Sequence, residues 1–209
     1  MINTVIAYDD NDFELSEYFE NSHTDISDVL AANELITNIS ICGLECTKEN
    51  INDTIRGINV EKFIFIAIAH GNEEVIAANG SPFVSFENYI TFVNSLFYSC
   101  SCSSGQILGN ELVQEGCLAF IGYFDTVFVI EEYYSIFYSC QNYGIKTFLS
   151  NDETIETSFN KMVNFYNEEI DRLVVGSTDD FLAASSLINN RDCLDILGCK
   201  TITRNDFIQ

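Results

Sequence analysis

Lys62-Phe-Ile-Phe-Ile-Ala-Ile-Ala-His70-Gly71 is the stretch on which the reading of this chain turns. Its seven consecutive apolar residues, Phe63 to Ala69, are rich in β-branched and aromatic types and lead to a Gly. That is the pattern of a strand buried on both faces, and such strands belong to parallel sheets covered by helices. A second run, Leu96-Phe-Tyr-Ser-Cys-Ser-Cys102-Ser-Ser-Gly105, has the same form and also ends on a reactive side chain. Neighbouring parallel strands lie roughly 4.8 Å apart. A His and a Cys at their carboxyl ends can therefore face each other across a crevice, the edge at which open α/β sheets place their sites.

Upstream of this stretch, Thr4 to Tyr8 reads as a first strand that Asp9-Asp-Asn-Asp12 ends with turn formers. This acidic cluster resembles the opening of a calcium loop but lacks the Gly and the closing Glu at the required spacing, so no metal is expected there. Phe13 to Phe19 and Ser27 to Leu35 carry helical signals, and Asn38 to Leu44 reads as a second strand. Thr47 looks like a helix cap, with Ile51, Ile55 and Ile58 following at helical spacing. Strand, helix and strand make a parallel crossover.

Downstream, Asn79-Gly80 between two short extended runs is a hairpin signal. Helical spacing is expected over Phe86 to Asn94 and over Gly105 to Glu115, the latter stopped by Gly116. Cys117 to Phe124 reads as a buried strand ending at Asp125. Ile130 to Tyr143 is expected as a helix, Tyr143 to Leu149 as a strand, Asp152 to Val174 and Phe181 to Ile188 as helices, and Leu194 to Gly198 as a last strand. There is no internal repeat, low-complexity tract or linker, so residues 1–209 are expected to form a single unit.

Composition narrows the functions. A chain of 209 residues, 47% hydrophobic, is large enough to bury a full core. No apolar run approaches the roughly 18 residues a membrane span needs, and the start lacks the positive charge of a secretory signal, so a cytoplasmic protein is expected. The net charge is -23, and no Lys or Arg precedes Lys48. Nucleic acid and anionic membranes are therefore poor partners, and basic ones are favoured. Of the eight cysteines, Cys42, Cys100 and Cys117 sit in apolar runs, where reduced Cys serves as a small hydrophobe. Zinc held by Cys100 and Cys102 with Cys42 or Cys46 lacks the usual Cys-x-x-Cys spacing. An α/β small-molecule hydrolase or a nucleotide-binding protein is a third reading, but it lacks the Gly-x-Ser-x-Gly elbow and the Gly-rich phosphate loop that those would carry, and no cofactor is expected.

The chemistry at His70 and Cys102 follows from what a thiol needs. It attacks a carbonyl as thiolate, which calls for a base or a positive environment. His70 would exchange the proton, and a helix starting near Gly105 would aim its dipole at the Cys102 sulfur. Gly71, without a side chain, lets its N–H approach a tetrahedral oxyanion, and the Cys102 N–H is the second candidate donor. Against this stands the bland alternative, in which His70 is an ordinary exposed residue and the cysteines fill core.

The order strand-His-Gly, hairpin, helix, strand-Cys-x-x-Gly, helix resembles the caspase-like cysteine peptidases of the caspase, gingipain, clostripain and separase group, and most closely the bacterial CHAT domains. Ile68-Ala-His70-Gly71 matches the His-Gly signature, and Tyr98-Ser-Cys-Ser-Cys102-Ser-Ser-Gly105 matches the strand that ends on the nucleophile. Gly116-Cys-Leu-Ala-Phe-Ile-Gly122 matches the apolar strand after it. The resemblance covers 38–125, with 126–209 left as a helical completion. It implies a caspase-like α/β/α sandwich with a mostly parallel central sheet, and a cysteine endopeptidase using a His-Cys dyad.

Two departures from the family pattern shape the expectation. Cys100 stands where many relatives have Ala, and alternation puts it on the same strand face as Cys102, so either could be the nucleophile; the Cys-Ser-Ser-Gly register favours Cys102. The acid that precedes the nucleophile in relatives cutting after basic residues is missing. Asp125, at the end of the next strand, is the substitute for binding a substrate Arg, or else it caps a turn. By resemblance, the partners are a protein or peptide substrate and an activating protease or regulatory protein, in bacterial defence, including antiviral defence, or in regulated proteolysis. The alternative is a catalytically silent caspase-like interaction module.

Overall fold

The computed structural model describes all 209 residues. Its centre is a six-stranded sheet built from β1 (Ile2–Tyr8), β2 (Ile36–Cys42), β3 (Phe63–Ile68), β7 (Ser95–Ser99), β8 (Ala119–Tyr123) and β9 (Leu194–Gly198), in the order β2-β1-β3-β7-β8-β9. All neighbours are parallel except β9, which runs antiparallel to β8. Every residue of β3 is buried, as its continuous apolar pattern requires, and each Ile or Phe so removed from water contributes about 1.5–3 kcal/mol.

Alternation along the strands divides the core in two. Ile64, Ile66 and Ile68 face one layer with Leu96, Tyr98 and Ile121, where α1 (Ser16–Ala31), α4 (Tyr134–Ser150), α5 (Ile155–Leu173) and α6 (Thr178–Asp192) pack. Phe63, Phe65 and Ala67 face the other with Phe97 and Phe120, against α2 (Lys48–Ile58) and α3 (Leu108–Gln114). This is the α/β/α sandwich. On the second face a small antiparallel sheet of β4 (His70–Gly71), β5 (Ile76–Ala78) and β6 (Ser81–Val84) grows out of the end of β3.

Local signals explain several boundaries. Thr47 caps α2 by accepting the Asn50 N–H at 3.2 Å, and Asn59 closes that helix in the left-handed region. Asn79 and Gly80 take φ of 50° and 71° at the β5–β6 turn, which suits a type I′ hairpin. Ser177 and Asp180 form a reciprocal capping box at the start of α6.

Four expectations are corrected. Tyr143 to Leu149 is the second half of α4, not a strand: Ile145, Phe148 and Leu149 are buried at helical spacing in the larger core. The helical signals at Phe13–Phe19 and Ser27–Leu35 belong to one helix, α1, that bridges the polar residues between them. Phe86 to Asn94 forms only a 3-10 turn, Tyr89–Phe92. The helix expected from Gly105 begins at Leu108, because residues 102–107 are spent in turns, with Ser103 at φ 54°.

Candidate active site

Parallel strands bring their carboxyl ends to one edge, and this edge collects the residues singled out in the sequence. The β3–β7 ladder pairs Ala67 with Ser99, and three residues further along each chain lie His70 and Cys102. Contact between the two segments is direct. A Cβ placed on Gly71 would stand 2.7 Å from Ser101 Cβ and 3.2 Å from the carbonyl oxygen of Cys102. Only Gly permits this approach.

His70 is held from behind. Its Nε2 lies 3.2 Å from Asp12 Oδ2, and its ring meets Phe19 of α1 edge-on with centroids 5.4 Å apart. The other Asp12 oxygen accepts the backbone N–H groups of Leu15 at 2.7 Å and Glu14 at 2.9 Å, which fixes the carboxylate. Burial works to raise the Asp12 pKa, but the N–H bonds from Leu15 and Glu14 and the nearby imidazole outweigh it and hold the group below its ordinary range. With Nε2 turned to a carboxylate, Nδ1 is the nitrogen left for proton exchange. The neighbouring Asp9 is buried and accepts the Asn79 N–H at 2.9 Å, tying the hairpin to the end of β1.

The two candidate sulfurs differ. Cys100 is buried in the larger core, and burial pushes its thiol up to about 12. Cys102 lies beyond the end of β7, half-buried in a turn, where its Sγ accepts the Val127 N–H at 3.3 Å and lies 3.8 Å from the Val127 carbonyl oxygen. The backbone N–H of Cys102 donates to no protein acceptor. The expected helix dipole is absent from this arrangement: α3 has seven residues and starts six positions after Cys102, so the donor at the sulfur is a loop amide. Cys46 packs in the smaller core and Cys100 in the larger, so the sheet lies between two of the sulfurs considered as zinc ligands.

Asp125 is exposed at the end of β8, and its carbonyl accepts the Ser103 N–H at 2.9 Å, next to the Cys102 turn. With Thr126, Phe128, Asn189, Asp192 and Cys193 it lines a hollow of about 420 Å³. The Asp192 carboxylate there is already engaged by Arg191 at 2.7 Å, which leaves Asp125 as the acid without a basic partner.

Asp12, Phe19 and Val127 were not singled out in the sequence. For Asp12 a signal existed: an acid cluster closing a strand that, once paired beside β3, must end next to the His. Val127 had none, since any backbone could supply its N–H.

The fold is a caspase-like α/β/α sandwich. Among solved structures it is similar to the Arg-specific cysteine proteinase gingipain R (RgpB), with a TM-score of 0.65 over 96% of this chain and 47% of that one, at 12% identity. The complex of Porphyromonas gingivalis RgpB pro- and mature domains gives a TM-score of 0.59 over 96% and 48%, at 14% identity. The chain thus spans about half the length of these neighbours. No protein-family profile and no curated protein matches the sequence. None of the helices is long and apolar enough to cross a membrane.

Proposed function

We propose that the chain is a cysteine endopeptidase in which Cys102 is the nucleophile and His70 its acid-base partner. The observation that carries the reading is the seating of Gly71 against Ser101 and Cys102, with His70 backed by Asp12. The Cys102 Sγ transfers its proton to His70 Nδ1 and bonds to the scissile carbonyl carbon, whose oxygen takes up the π electrons. The N–H groups of Gly71 and Cys102 receive that oxyanion. His70 then protonates the leaving amine, and water, deprotonated by the same imidazole, hydrolyses the thioester.

The substrate side of the reading is electrostatic. Asp125 stands exposed beside the nucleophile turn in a chain of charge -23, and Arg191, the basic residue near the hollow, is tied to Asp192 and Asn167. A basic P1 residue, Arg first, fits this field better than an acidic one. Protein substrates, an activating protease or regulatory partner, and a place in bacterial defence follow from the sequence resemblance to the peptidase group and its CHAT domains.

Matched peptides with Arg, Lys or Asp at P1, together with an Arg-chloromethylketone, test the proposal. Cleavage after Arg and a covalent adduct on Cys102 are expected. Preference for Asp would overturn the specificity, and an inert Cys102 would favour the silent interaction module.

A further inference from the structure

The segment that crosses the Cys102 sulfur is clamped by one buried side chain outside the dyad. Asn190, on α6, is fully buried, and its amide closes two hydrogen bonds with the backbone of Phe128. Nδ2 donates to the Phe128 carbonyl at 2.7 Å, and Oδ1 accepts the Phe128 N–H at 2.8 Å. The side chain thus stands in for a neighbouring β-strand. At the near end of the same strap, the Phe124 N–H donates to the Cys193 carbonyl at 2.7 Å, and Gln106 Nε2 donates to the Phe124 carbonyl at 2.7 Å. Between the two anchors, Val127 directs its N–H to Cys102 Sγ at 3.3 Å.

We propose that Asn190 is a positioning residue for the nucleophile: by fixing the Phe128 backbone it holds the Val127 amide on the Cys102 sulfur, where it stabilises the thiolate. A hydrogen bond donated to the charged form favours that form, and charge-assisted bonds are roughly twice as strong as neutral ones. The thiol form gains less, since its only acceptor here, the Val127 carbonyl, is 3.8 Å away. This preference does not require the helix dipole that α3 fails to supply. The ionisable groups that line the hollow with Thr126 and Phe128 of the strap are Asp125 after β8, Asp192, which Arg191 engages, and Cys193 after α6, and none is bonded to the Asn190 amide.

The inference rests on the reading of Cys102 as nucleophile, but its test reads the sulfur directly, whether or not a peptide is cut. The rate of Cys102 alkylation by iodoacetamide, followed by mass spectrometry of the Cys102 peptide, is measured from pH 5 to 9 in the full chain. The variants are Asn190→Leu, which removes both bonds, and Asn190→Asp, which keeps an acceptor for the Phe128 N–H. Leu187→Ala, in the same helix and core, is the control for loosened packing. Asn190→Leu should move the profile to higher pH and slow alkylation at neutral pH about tenfold. Asn190→Asp should move it less, in the same direction, and serves as the test if the Leu variant does not fold. Leu187→Ala should lower the melting temperature and leave the profile in place. Superimposable profiles for wild type and both Asn190 variants, or an equal shift in Leu187→Ala, would overturn the proposal.

Discussion

Replacing Gly71 by Ala is the sharpest mechanical test of the site. The added Cβ would lie 2.7 Å from Ser101 Cβ, 3.2 Å from the Cys102 carbonyl oxygen and 3.2 Å from the Val75 carbonyl oxygen. Carbon atoms in contact prefer about 3.5–4.0 Å, so roughly 1 Å must be absorbed. Neither side yields easily, since Gly71 is paired with Ile76 across β4–β5 and Ser101 is buried. Overpacking of this kind costs about 1–3 kcal/mol, or roughly 2–4 °C of melting temperature per kcal/mol for a chain of this length. Displacing a reacting group by about 1 Å costs on the order of 100-fold in rate. Gly71→Ala should therefore lose about two orders of magnitude in kcat/KM on an Arg peptide while remaining folded. Gly80→Ala is its counterpart: nothing stands within 4 Å of the added Cβ, but φ is +71°, so strain of about 1–2 kcal/mol lowers stability without touching activity. Wild-type kcat/KM in Gly71→Ala would refute the close packing of the His-Gly and Cys segments.

Four further outcomes are expected. Asp12→Asn should lower kcat/KM by about 10–100-fold with KM little changed, because it removes the carboxylate that orients His70 without contacting substrate. Since the folded Asp12 pKa lies below the ordinary value of 3.8, its stabilisation is present above that value and is lost as pH falls through the folded pKa, so wild type and variant should converge in urea stability in acid. Cys100→Ala should retain activity and Cys102→Ala should abolish it, and at pH 7 iodoacetamide should modify Cys102 well before Cys100, whose thiol burial pushes to about 12. Asp125→Asn should cut the preference for Arg over an uncharged P1 residue by about 10–100-fold, read as the ratio of kcat/KM values, with little effect on the uncharged substrate.

The layer structure could be read from the chain because β3 and β7 are unbroken apolar runs and the Thr47 cap, the Asn79-Gly80 turn and the helical spacing of α2 all agree with it. Local and global signals coincide there. They diverge in the second half, where Tyr143-Gly-Ile-Lys-Thr-Phe-Leu has the aromatic and β-branched composition of a strand, yet its buried residues recur at helical intervals inside α4. At the edge, residue types announced His70 and Cys102. Strand alternation did not separate Cys102 from Cys100, and only the Cys-Ser-Ser-Gly register favoured Cys102; in the structure β7 ends at Ser99, which leaves Cys100 in the core and carries Cys102 into a turn. The Asp12 contact required knowing that β1 and β3 are neighbours, and the Val127 and Asn190 contacts depend on a loop path that no local pattern encodes.

The most direct measurement is to incubate wild type, Cys102→Ala and His70→Ala with a diverse pool of folded and denatured proteins and to map every new amino terminus. The account predicts new termini in the wild-type sample alone, predominantly following Arg. Termini of equal number in the Cys102→Ala or His70→Ala samples would contradict it.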